Sequence, residues 1–79
     1  MKRGEIENLR GEAREIASQL TREYQDIYSE RVNYKGKRFQ ETLCLAEQKA
    51  CARMNDAIAA SNYLADAAFI LDYLGFVED

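Results

Sequence analysis

The sequence contains no histidine, no tryptophan and no proline, and only two cysteines and four glycines among its 79 residues. Each shortage excludes something. Without histidine the chain lacks the side chain that titrates nearest neutrality and is the commonest metal ligand. We therefore read it as a non-enzymatic protein with no cofactor and no metal site. Without proline nothing obliges a helix to break. Cys44 and Cys51 stand seven residues apart; on one helix that separates their Cα atoms by roughly 10 Å, too far for an intramolecular disulfide. They read as small apolar side chains that stay reduced, which fits a cytoplasmic protein. The segment after Met1-Lys2-Arg3 is charged rather than apolar, unlike a secretory signal.

Long apolar runs are also missing. The most apolar window, residues 57 to 77, is interrupted by Asn62, Asp66 and Asp72 and owes much of its apolar count to alanine. A central aspartate costs roughly 3 kcal/mol on insertion, against a few tenths gained per leucine. No membrane association is expected.

What remains is a chain 47% apolar and 32% charged, a balance that favours a folded helical domain over disorder. Ile6, Leu9, Ala13, Ile16, Leu20, Tyr24, Ile27, Arg31 and Tyr34 recur every three or four residues, the period of a helix with one apolar face. Gly11 weakens that segment by about 1 kcal/mol relative to alanine. The cluster Tyr34-Lys35-Gly36-Lys37-Arg38 reads as a turn. Beyond it the pattern doubles. Leu43, Ala50, Cys51, Met54, Ala57, Ile58, Ser61, Leu64, Ala65, Ala68 and Leu71 form one stripe; Leu45, Ala52, Ala59, Tyr63, Ala67, Ile70 and Leu74 form a second on roughly the opposite side. Leu74-Gly75-Phe76 resembles a helix stop with a left-handed glycine.

The expected fold is all-α. It is a helical hairpin of two long antiparallel helices, about 5–33 and 39–74, joined by a turn at 34–38 and followed by a tail at 75–79 whose last three residues, Val77-Glu78-Asp79, are expected to be loose. A helix apolar on two sides must be covered on two sides, and the first helix supplies one cover. The simplest completion is a homodimer, a four-helix bundle in which Leu45, Ala52, Ala59, Tyr63, Ala67, Ile70 and Leu74 form the interface. The alternative is a break near residues 61–62 that folds the last segment back as a third helix.

Charge and aromatic residues suggest two functional readings. Residues 1–38 carry nine basic and seven acidic side chains, and residues 39–79 two basic and seven acidic. Tyr24, Tyr28, Arg31, Tyr63, Phe69, Tyr73 and Phe76 belong to the residue types enriched at interface hot spots or close to them. They point to a protein-binding module, a small dimeric adaptor, inhibitor or regulator of another protein, in a style that fits a phage or mobile-element product. The alternative is a nucleic-acid-binding or transcription-linked dimer that uses Lys35, Lys37 and Arg38 on phosphates. Among the acids, Glu47 and Asp72 fall toward the inner stripe and are expected to pair with basic residues of the first helix.

Overall fold

The computed structural model describes residues 1–34, 36 and 39–79. Two helices, α1 (Arg3–Asn33) and α2 (Gln40–Tyr73), account for nearly all of them, and no strand occurs among the described residues. They pack side by side into an all-α hairpin with Cα extents of 58 × 15 × 12 Å. α2 runs unbroken through Ser61 and Asn62, so the three-helix alternative is not the fold. Neither residue is a strong helix breaker, and the alanine-rich sequence around them favours continuity.

Three ion pairs between the helices mark the antiparallel register. Arg3 meets Asp72 near the open end, Glu23 meets Arg53 near the middle, and Arg31 meets Glu47 near the turn. Across the turn, the Gln40 side-chain amide donates to the Tyr34 carbonyl at 2.9 Å, and the Tyr34 and Phe39 rings lie 6.3 Å apart.

The end of α2 behaves as Leu74-Gly75-Phe76 suggests. Gly75 adopts φ +84°, which an L side chain enters only with strain. The Phe76 amide donates to the Leu71 carbonyl at 2.9 Å and the Gly75 amide to the Asp72 carbonyl at 3.1 Å. Those are the two bonds of a Schellman stop.

Residues 75–79 are not loose. They fold against the start of α1, which has no side-chain cap of its own. The Glu78 carbonyl accepts from the Arg3 amide at 2.9 Å, and the Glu78 amide donates to the Met1 carbonyl at 2.8 Å. Arg3 also reaches Asp79 at 2.7 Å. An amide left unpaired by the first helical turn thus finds its acceptor in the distant end of the chain.

The core between the helices is thin. Among the described residues, only Ile6, Ala50 and Ala68 are buried and no side chain is fully enclosed. Leu43, Met54, Ala57, Leu64, Ala65 and Leu71 are half-buried along the seam. No helix among the described residues is long and apolar enough to cross a membrane.

Candidate protein-binding surface

The two stripes of α2 meet different fates. The inner one lies on α1 and is half-buried or buried along its length, apart from Ile58 at its edge. On the outer one, Leu45, Ala52, Tyr63, Ala67, Ile70 and Leu74 are all exposed and Ala59 is half-buried. The cause is geometric: at 100° per residue the two stripes lie about half a turn apart, and one neighbouring helix covers only one of them.

α1 contributes to the uncovered surface as well. Leu9 and Ile16, which the apolar spacing assigns to the seam, are 52% and 53% exposed. Both lie about 60–80° around the helix from the buried Ile6, so they flank the seam instead of filling it. Sequence reasoning missed this because a three-or-four spacing tolerates such an offset. Taking Ile6 and Tyr24 as the centre of the face would have shown it.

The aromatic candidates divide. Tyr24 is half-buried and stacks obliquely on Tyr28 at 6.2 Å between ring centroids. The Arg31 guanidinium sits 5.5 Å from the Tyr28 ring and is held by Glu47 through two contacts, the Nη2–Oε1 one at 3.3 Å. That bidentate hydrogen bond is the main reason the Arg31 pKa is raised further above its ordinary value. The upward shift means that the stability from this charge is complete below the ordinary guanidinium range and is lost only in stronger alkali. Arg31 is therefore committed within the hairpin. Tyr63, Phe69, Tyr73 and Phe76 are not: the first two are 73% exposed, Tyr73 is 82% and Phe76 is 62%.

Phe69 stands at the edge of a cavity of about 200 Å³ between the helices, with Arg3, Ile6, Glu7, Arg10, Ala65, Ala68, Asp72 and Val77 around it. Arg3 is drawn to Asp72 and Asp79, which hydrogen-bond it and raise its pKa. A second, more open hollow of about 510 Å³ continues the same groove between Arg14, Ala17, Ser18, Thr21 and Arg22 on α1 and Ile58, Ser61 and Asn62 on α2.

Glu47 and Asp72 pair with Arg31 and Arg3 as their place beside the seam leads one to expect. Cys44 and Cys51 are half-buried and unbridged. Among the described residues no three Cys, Asp or Glu side chains converge as a metal site would need. Lys35, Lys37 and Arg38, the candidates for phosphate contact, lie outside the described residues. Compared with known proteins, the chain matches no family model, no curated protein and no solved structure.

Proposed function

We propose that the chain is a non-enzymatic protein-binding module, a small dimeric adaptor, inhibitor or regulator that works by covering part of another protein. The observation that carries this reading is the exposure of Tyr63, Phe69, Ile70, Tyr73, Leu74 and Phe76 within fourteen residues of one another. Monomeric proteins rarely leave such large apolar groups grouped in water, and a patch of this kind marks an association site. The charge on its α2 side is acidic, since no lysine or arginine follows Arg53 while Asp56, Asp66, Asp72, Glu78 and Asp79 do; on its α1 side stand Arg3, which holds Asp72 and Asp79, and Arg10. The acidic α2 side of this edge favours a partner that presents basic groups to it. The aromatic edge made by Phe69, Tyr73 and Phe76 is assigned to that partner and the outer stripe to self-association.

A photoreactive phenylalanine analogue placed at position 73 and activated in the native cell tests the assignment. The expected product is a single protein adduct, whose purified partner binds the wild-type chain directly and binds Phe69→Ala or Tyr73→Ala at least about tenfold more weakly. A chain that instead shifts nucleic acid at moderate salt, and loses the shift when Lys35, Lys37 and Arg38 are changed to Glu, would overturn the reading.

A further inference from the structure

We propose that the outer face of α2 is covered by a second copy of this chain lying antiparallel to the first, with the two-fold axis crossing α2 between Ala59 and Ala60. This rests on the self-association half of the reading above and gives it an occupant, a direction and a register.

The exposed area of the hairpin is large enough to call for a second copy. The isolated hairpin exposes 6232 Å² for a mass of 9.1 kDa, whereas a compact monomer of that mass exposes about 4900 Å². The surplus is about 1300 Å² per chain, so two copies that hid it from each other would bury about 2600 Å², within the range of obligate homodimers. A shallow contact would leave most of that surplus in water.

The order of residues along the face favours an antiparallel pairing. About a centre between Ala59 and Ala60 two pairs of the stripe match in size: Ala52 and Ala67 are equidistant from it, and so are Leu45 and Leu74, while Ile70 comes level with the aliphatic stem of Lys49. Alanines at the middle let two helices approach to the near edge of the usual 8–10 Å separation, and leucines close both ends. The face has one acidic interruption, Asp56, and in this register it comes level with Tyr63 of the other copy, whose hydroxyl can donate to its carboxylate. The contact occurs twice. A parallel, in-register pairing would set Asp56 against Asp56 and Lys49 against Lys49, like charges in both cases.

α1 points to the same centre. Counting inward from the Arg3–Asp72 and Glu23–Arg53 pairs, Ile16 lies level with Ala59 and Ala60. An exposed isoleucine on α1 thus falls at the height of the axis located from α2 alone, and Leu9 extends the same uncovered flank two turns further. The flank that carries them is opposite the groove edged by Phe69. The second copy leaves the aromatic edge free.

Cysteine cross-linking tests direction and register together. In full-length chain with Cys44→Ala and Cys51→Ala, Ala59→Cys is expected to give a covalent dimer on mild oxidation. Ala52→Cys alone is expected to remain uncrosslinked, because its two copies lie about 22 Å apart along the axis. Ala52→Cys combined with Ala67→Cys is expected to crosslink. Efficient crosslinking by Ala52→Cys alone would overturn the antiparallel register, and a monomer by analytical ultracentrifugation of wild type at 50–100 µM would overturn the dimer. Tyr63→Phe is expected to raise the dissociation constant about tenfold. Ile16→Glu is expected to raise it more, and an unchanged value would remove α1 from the interface. A monomer that still binds a heterologous partner through Tyr73 would sink this proposal together with the self-association half of the functional reading and spare its partner-binding half. A dimer of another register would sink this proposal alone, and a dimer of this register without such a partner would sink only the partner-binding half.

Discussion

α1 and α2 differ little in length and greatly in how many sides need cover. α1 is strongly one-sided, with a single apolar face and a charged back; α2 is more apolar on average yet less one-sided, because its two stripes oppose each other. The hairpin therefore covers most of the apolar face of α1, leaving Leu9 and Ile16 at its flank, and leaves a whole stripe of α2 uncovered. Folding and association are written on opposite faces of one helix, so neighbouring residues can belong to different problems. Ala67 is exposed and Ala68, one residue on, is 9% exposed against α1.

That pair gives the largest expected contrast. Ala68→Glu forces a carboxylate into the thin seam and is expected to cost about 3 kcal/mol, enough to abolish the helical circular dichroism signal of the isolated chain at 37 °C. Ala67→Glu is expected to leave the helical signal in place and to dissociate the dimer in ultracentrifugation. Equal effects in both assays would break the distinction between the faces. A step smaller, Leu64→Ala removes a half-buried seam side chain and is expected to lower the unfolding free energy in urea by about 2 kcal/mol. Ile70→Ala, on the outer face, is expected to change mainly the dependence of the urea midpoint on protein concentration. Gly75→Ala is expected to cost about 1 kcal/mol, since a Cβ there has open space but the backbone sits at positive φ.

The hairpin was legible in the sequence because helical periodicity is a local signal, and its two features here, an unbroken stretch without proline and a glycine stop, both act within a few residues. The doubled stripe of α2 was legible for the same reason. Two things were not. The clamp of residues 75–79 on the start of α1 joins chain positions more than seventy residues apart through backbone atoms, and backbone hydrogen bonds leave no residue-type signature. The exposure of Leu9 and Ile16 depends on the direction in which α2 lies relative to α1, which only packing decides. Among the site candidates, Arg31 is engaged within the hairpin, which residue type alone does not reveal. An arginine beside tyrosines looks like an interface group until Glu47 is seen to occupy it.

The smallest effect separates the two helices most cleanly. Gly11 lies inside α1, and a Cβ added there would meet nothing within 4 Å. Gly11→Ala removes backbone freedom from the unfolded chain and adds no clash, so it is expected to raise stability by about 0.5–1 kcal/mol. Because Gly11 lies far around α1 from Leu9 and Ile16, the substitution is expected to leave the dimer dissociation constant unchanged. Urea melts at several protein concentrations read both quantities at once: the midpoints should rise by the same amount at every concentration. A gain that appears only at high concentration would mean that α1 folds only when the dimer forms. The hairpin and its partner copy would then fold as a single cooperative four-helix unit.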